Sequence, residues 1–440
     1  MGTNFMKDEL LFSWLNNLKP RTIENEVLSY LGKPFIVFLL GSRQVGKTSL
    51  MRRLMGDLRV EKKIDLRQIL YFDFEIIADE ATFLQVTPEA VEEIAKNYGA
   101  DLGKEIYVFI DEIQYHPNPS NLLKVIFDHL PQFHLLVSGS STTKIKEKFK
   151  DSLAGRHKTF ILSPLSFEEF LIFSSHPELR EIYRNQNLPL RLKEDLKNAF
   201  GEYAVFGGYP KVVLSRSQDE KITALESIFT SYVRRDIKDL ALIEETEKFN
   251  KLVSLLAFQI GNLVNLAELS NATALNRKTL EKYLFILENT FIIRLLKPFF
   301  SNRRQEITKS PKIYFCDTGL RNYIVNNFFP LDKRTDAGSL FENGLFLMLS
   351  QKTKEDNLRY WRSVLKQEVD FVKIDLAGKV IPYEAKFTRS DLQKTPPVSS
   401  GVRSFIKSYK PNEAFVVGIN FESKTWVEKT QLSFIPIRTV

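Results

Sequence analysis

A single cysteine, Cys316, stands in a chain of 440 residues. An intramolecular disulfide and a cysteine-built zinc site are therefore both excluded. Five histidines (His116, His129, His134, His157 and His176) lack paired metal-ligand spacing and read as structural or surface groups. Apolar runs such as Phe35 to Leu40 fall far short of the ~20 residues that span a bilayer. The first ten residues have neither the basic start nor the apolar core of a secretory signal, and Met6 stands where N-myristoylation would need Ser or Thr. Internal repeats and low-complexity tracts are missing as well. These absences predict a cytoplasmic protein with no membrane partner.

What is present fits a folded chain of about three domains. It is 43% hydrophobic, 12% aromatic and 26% charged, with 18 Pro and 19 Gly, which excludes disordered and collagen-like classes. The net charge of +8 is unevenly placed. Residues 301–440 carry 23 Lys and Arg against 15 Asp and Glu, whereas residues 1–300 carry 39 of each sign. A basic C-terminal third suits a polyanionic partner, and it equally suits a merely soluble surface.

Strand-like runs separated by helical spacers fill residues 34–165: Phe35–Leu40, Leu70–Phe74, Ile106–Ile110, Phe133–Val137 and Thr159–Leu162. This alternation predicts an α/β domain with a parallel sheet. Residues 1–33 read as N-terminal helices, 166–240 as a helical lid, 241–334 as a winged-helix-like module and 335–440 as a further α/β domain.

The strongest chemistry follows the first strand. Gly41-Ser42-Arg43-Gln44-Val45-Gly46-Lys47-Thr48-Ser49 has the spacing of a P-loop between strand and helix. Its glycines let the backbone curl so that N–H groups face phosphate oxygens, helped by the helix N-terminus. Lys47 is placed to bridge the outer phosphates and the Thr48 hydroxyl to ligate Mg²⁺. A buried strand then delivers Asp111 and Glu112. Asp111 is expected to hold Mg²⁺ through water, and Glu112 to orient the attacking water. Phe133–Val137 ends in Ser138-Gly-Ser140-Ser141. In the P-loop class with adjacent acids, such a strand lies between the other two and offers a polar group to the γ-phosphate. Ser140 or Ser141 would fill that role; a plain small-residue turn is the alternative.

In order along the chain, GSRQVGKTSL, YVFIDEIQ, VSGSS, SLAGRHKTFILSPLSFEEF, GGYPKVV and YVRRDI resemble prokaryotic AAA-type ATPases that carry a C-terminal domain of unknown function. The resemblance covers nearly the whole chain and implies adenine specificity, for which no base-reading motif is visible. Ser42 departs from the proline usual in that family, without consequence for phosphate binding by backbone N–H groups. Arg156 matches a family arginine and is a candidate sensor of γ-phosphate charge, in cis or in trans. A surface ion pair is its plainer reading.

Leu266–Ser270 and Asn276–Leu287 read as helix–turn–helix, with Asn276 as N-cap and Leu280, Tyr283, Leu284 and Leu287 as the buried stripe. Arg277, Lys278 and Lys282 stay on the outer face, where a recognition helix needs them and where a scaffold would equally carry them. Phe291–Leu296 and Lys312–Phe315 are the candidate wing. In the last domain Glu342 opens a helix, Asp370 lies on one strand, and Glu384 and Lys386 share a face of the next. This set is similar to the restriction-endonuclease-like PD-(D/E)xK pattern. That resemblance implies Asp370 and Glu384 as Mg²⁺ ligands, Glu342 nearby and Lys386 beside the activated water. A solvated Glu384–Lys386 pair and a nuclease fold without cleavage are the alternatives.

The expectation is an ATP-binding, Mg²⁺-dependent AAA-type ATPase coupled to DNA or other nucleic acid, able to self-associate. The alternative is a regulatory ATPase switch whose C-terminal domain binds partners without cleaving nucleic acid.

Overall fold

The structure, a computed structural model, describes residues 8–140, 155–231 (except 175, 184, 186 and 187), 245–299, 310–388 (except 354) and 396–440 (except 420). Ser141, Leu153-Ala154 of the LAGR segment and the YVRRDI segment lie outside the described residues. The chain divides into two compact units. The first comprises residues 1–163 with 289–291, and the second comprises 164–288 with 292–440.

The first unit is built on five strands: β1 (Ile36–Leu40), β2 (Ile69–Asp73), β3 (Ile106–Asp111), β4 (Phe133–Gly139) and β5 (His157–Ile161). Their order is β2-β3-β4-β1-β5 and every pairing is parallel. Such a sheet must be covered on both faces, which is why β1 (Ile-Val-Phe-Leu-Leu) is buried at every position. The helices are α1 (Asp8–Asn17), α2 (Glu24–Leu28), α3 (Lys47–Val60), α4 (Ile77–Thr82), α5 (Pro88–Asn97) and α6 (Pro119–His129). Thr87 and Asn118 cap α5 and α6 ahead of prolines in the first turn, so the sequence itself starts both helices. One core side is filled by Phe72, Phe83, Ile110, Leu122 and Ile126. There Phe72 meets Phe83 edge-on at 4.8 Å.

The second unit begins with helices α7 (Phe167–Phe173), α8 (Pro177–Ile182), α9 (Leu190–Phe206), α10 (Pro210–Val213), α11 (Gln218–Ser231), α12 (Thr246–Phe258), α13 (Leu266–Thr273) and α14 (Arg277–Asn289). Ser166 and Glu169 form a capping box on α7. Asn276 caps α14 through Thr279 N–H at 2.9 Å. Strands β6 (Ile293–Leu296) and β7 (Lys312–Phe315) pair antiparallel, and α15 (Thr318–Ile324) and α16 (Ala337–Gln351) follow. A mixed sheet in the order β12-β13-β11-β10-β9-β8 closes the unit. It comprises β8 (Leu358–Arg362), β9 (Glu368–Ile374), β10 (Val380–Ala385), β11 (Glu413–Gly418), β12 (Ser423–Val427) and β13 (Thr430–Pro436), with α17 (Ser400–Tyr409) packed on it. Buried Asn322 ties this unit together: its amide donates to Val205 O at 2.8 Å, and its carbonyl accepts from Arg321 and Arg334 at 3.1 and 2.9 Å. No described helix is long and apolar enough to cross a membrane.

Asp57 sits inside the first unit on α3, 8% exposed. Burial, then a hydrogen bond and charge repulsion from Glu24, push its carboxyl up to about 7 from the usual 3.8. The folded chain thus keeps a proton that the unfolded chain releases. The stabilisation is complete below the usual value and is lost as the pH rises through about 7. Calorimetry should therefore show the first unit melting higher at about pH 6 than at about pH 8, and Asp57→Asn should flatten that difference.

Candidate nucleotide site and C-terminal carboxylate cluster

The loop after β1 is forced into its curl by two glycines. A side chain at Gly41 would meet Leu162 O at 2.2 Å, and Gly46 adopts φ 97° as the N-cap of α3. Gly46 brings no side chain to cap that helix, which leaves the helix start open to an anion. Val45 is fully buried, Ser42 nearly so, and Gln44 takes φ 62°. Lys47, 5% exposed, donates to Gly41 O and Ser42 O at 3.1 Å each, so its ammonium lies over the loop mouth. Ser49 follows in the first turn of α3.

Asp111 ends β3 beside this loop and is nearly fully buried. Thr48 Oγ1 donates to its Oδ2 at 2.6 Å, Tyr71 Oη donates to the same oxygen at 3.3 Å, and Ser138 Oγ donates to Oδ1. Burial, then the Asp111 charge, hold the Tyr71 phenol well above its usual value, so it stays a donor. Glu112 turns the chain with φ 54°, an uncommon conformation for a side-chain-bearing residue. Its N–H donates to Ser138 Oγ at 3.0 Å, and its carboxylate lies 3.9 Å from Lys47 Nζ. Gln114 donates to Glu112 and, at 3.3 Å, to Ser140 Oγ. Strand β4 lies between β1 and β3, which carries Ser138 and Ser140 into the cluster.

Arg156 does not join it. Its carbonyl accepts from Ile36 N at 2.9 Å at the start of β1, whereas the P-loop leaves the strand's other end. At ~3.3 Å per residue the length of β1 separates the two by roughly 13 Å. Its guanidinium pairs with Asp128 at 3.1 Å instead. A parallel strand puts its leading residue at the end of the sheet opposite the loop.

Several participants escape a motif reading. Tyr71 reads as an ordinary strand residue, yet it reaches Asp111. Arg21, 8% exposed, donates to Val45 O and Ser163 O at 2.9 Å each. Glu24 accepts from Arg21 N at 3.1 Å and from Arg53 Nε at 2.8 Å. This buried set braces the P-loop from behind, and its only sequence signal is an arginine after Pro20.

A second cluster lies in the second unit. The register Tyr383↔Phe371 sets Glu384 opposite Asp370 on one face of the sheet, and Ala385 N donates to Asp370 Oδ2 at 2.8 Å. Lys386 Nζ lies 3.0 Å from Glu384 Oε1. Glu342, on α16, accepts from Tyr314 Oη at 2.5 Å. The four residues of the PD-(D/E)xK-like pattern are thus gathered together, with one unforeseen member. Lys312, on β7, lies 3.1 Å from Glu342, 2.5 Å from Glu368 and 3.7 Å from Asp370. Burial, then Asp370, push Glu342 and Glu384 each up to about 7, and burial raises Asp370 too. Burial opposes the Lys312 charge, but Glu342, Asp370 and Glu368 more than offset it and hold its pKa above the usual lysine value.

Three family models match successive parts of the chain. Residues 33–171 match the family model described as an AAA domain. Residues 197–331 and 337–440 match two domains of unknown function, DUF8612 and DUF4143. The chain is 27% identical over 360 residues to an uncharacterized protein of Haemophilus influenzae, covering 79% of this chain and 81% of that one. It is 26% identical over 372 residues to an uncharacterized protein of Mycobacterium tuberculosis, covering 84% and 73%. Among solved structures it is similar to a Walker-type ATPase of Pyrococcus abyssi, with TM-score 0.48, 14% identity and coverage of 71% and 99%. The matched stretch 33–171 holds the parallel five-stranded sheet and the P-loop, and it is similar to AAA domains.

Removing the brace behind the loop should be felt at its front. Arg21→Ala is expected to weaken nucleotide binding roughly tenfold in a fluorescence titration, the scale of one or two lost charge-assisted hydrogen bonds. Arg21→Lys, which cannot span both carbonyls, should recover little of it.

Proposed function

We propose that the protein hydrolyses ATP with Mg²⁺ in its first unit and uses that cycle to govern how the rest of the chain engages nucleic acid. The observation that carries this is the Thr48–Asp111 pair, 2.6 Å apart at the P-loop mouth. A hydroxyl and a buried carboxylate are hard oxygen donors of the kind Mg²⁺ takes. When bound there, Mg²⁺ supplies charge neutralisation at the phosphates. Residues Gly41 to Ser49 would cradle the phosphates through backbone N–H groups, and Lys47 would bring its ammonium to the outer two. Glu112, turned toward Lys47, orients the attacking water and accepts its proton. Gln114 holds Glu112 and Ser140 to one amide, so the base and the γ-phosphate contact are positioned together. Adenine preference is carried over from the family resemblance. Arg156, 37% exposed in its side chain, would meet a γ-phosphate only across a subunit boundary, in a self-associated form.

For the second unit, Arg277, Lys278 and Lys282 are exposed on α14 while Leu280, Tyr283, Leu284 and Leu287 are buried. This supports contact of a winged-helix-like module with DNA. The convergence of Asp370, Glu384, Glu342 and Lys386 supports metal-dependent phosphodiester chemistry in residues 335–440. A second reading, a switch that binds without cleaving, is favoured by the ammonium of Lys312 among those acids. Among the described residues, no three His, Cys, Asp or Glu side chains are grouped so as to hold a metal ion.

Lys47→Ala should abolish saturable ATP binding, while Glu112→Gln should bind ATP and turn over ~10²–10³-fold more slowly. Absence of ATP binding by the unsubstituted chain would contradict the reading. DNA incubated with the protein and Mn²⁺, with and without ATP, separates the two C-terminal readings. Cleavage lost in Asp370→Ala, with ATP turnover kept, selects the nuclease; binding without cleavage selects the switch.

A further inference from the structure

Four acids, Glu342, Glu368, Asp370 and Glu384, meet three cations in the second unit: Lys312, Arg362 and Lys386. The cations do not share the work equally. Arg362 lies 3.7 Å from Glu368, and Lys386 pairs with Glu384 at 3.0 Å while its charge also acts on Asp370 and Glu342. Lys312 contacts three carboxylates at once, with its side chain 3% exposed. Its stem enters from β7, while Glu342 comes from α16 and Glu368 and Asp370 from β9. Tyr314, two residues along the same strand, donates to Glu342 as well.

Carboxylates packed this closely repel unless a cation sits among them. Metalloenzymes commonly meet that demand with a divalent ion ringed by oxygen ligands. Here an ammonium with three donors takes the ringed position, and it is delivered covalently. We propose that Lys312 is the resident cation of this cluster, standing in for one divalent ion among Glu342, Glu368 and Asp370. The cluster then assembles without metal, and β7 is clamped to the mixed sheet by the same contact. As they stand the acids are not grouped to hold a metal ion, so an external divalent cation enters this position only when the lysine is removed and the carboxylates close on it. The inference goes beyond the readings above, because it holds whether or not residues 335–440 cleave nucleic acid.

The test uses the full chain without nucleotide, with Mn²⁺ as probe. Bound Mn²⁺ is counted by electron paramagnetic resonance, and melting is followed with Mn²⁺ or with chelator. Lys312→Met keeps the length and apolar stem of the side chain. It should bind one Mn²⁺ more than the unsubstituted chain, and its melting temperature should rise on going from chelator to Mn²⁺ by several degrees more than that of the unsubstituted chain. An unchanged count, with a gain in melting temperature no larger than that of the unsubstituted chain, would overturn the proposal. Should Lys312→Met fail to fold in either condition, Lys312→Met/Glu368→Gln decides. Folding regained by removing one acid supports the counter-cation, and continued failure contradicts it. DNA cleavage by the unsubstituted chain leaves the Mn²⁺ count unaffected, so the two ideas fail separately.

Discussion

The P-loop site of the first unit is arranged around one buried carboxylate. Asp111 is nearly inaccessible, and a carboxylate in that setting must be hydrogen-bonded to be tolerated. It takes three donors from three elements: Thr48 from the P-loop helix, Tyr71 from β2 and Ser138 from β4. That requirement explains the strand order. With β4 between β1 and β3, a serine arrives beside the acid and the next polar residue, Ser140, arrives beside the loop. The same carboxylate ends the strand that turns Glu112 toward Lys47. One desolvated charge thus fixes Thr48, Glu112 and Lys47 relative to one another, the three residues to which the proposed reading gives metal, base and phosphate roles.

The second unit solves a related problem differently. Its acids lie on a helix and two strands, and the Tyr314 hydroxyl reaches one of them, Glu342. A lysine from a neighbouring strand supplies the compensating charge. Both solutions follow from the cost of bringing like charges out of water, which must be met by donors, by a cation or by a proton. Their difference is informative: Asp111 is surrounded by neutral hydroxyl donors, while an ammonium sits among the acids of the other cluster.

The features legible in the sequence are those encoded locally. The P-loop reads from a fixed spacing after an apolar strand, and the strand–helix alternation reads from period and punctuation. Asn276 and the stripe from Leu280 to Leu287 read from helical geometry, and the shared face of Glu384 and Lys386 reads from strand alternation. Features that depend on register or tertiary packing were not legible. Arg21 finds Ser163 across 142 positions, and Lys312 finds Glu342 across 30. Lys312 reads as part of a candidate wing strand because nothing around it announces carboxylates elsewhere. Arg156 shows the converse: its segment resembles a family pattern, yet the direction of β5 carries it away from the loop.

In the proposed reading Asp111 couples the P-loop to Mg²⁺. The most direct measurement compares ATP affinity with Mg²⁺ and with chelator in the unsubstituted chain and in Asp111→Asn. Thr48 and Lys47 remain in both, so magnesium-free binding should survive the substitution. The account predicts that the gain in affinity on adding Mg²⁺ largely disappears in Asp111→Asn. An undiminished gain would contradict it.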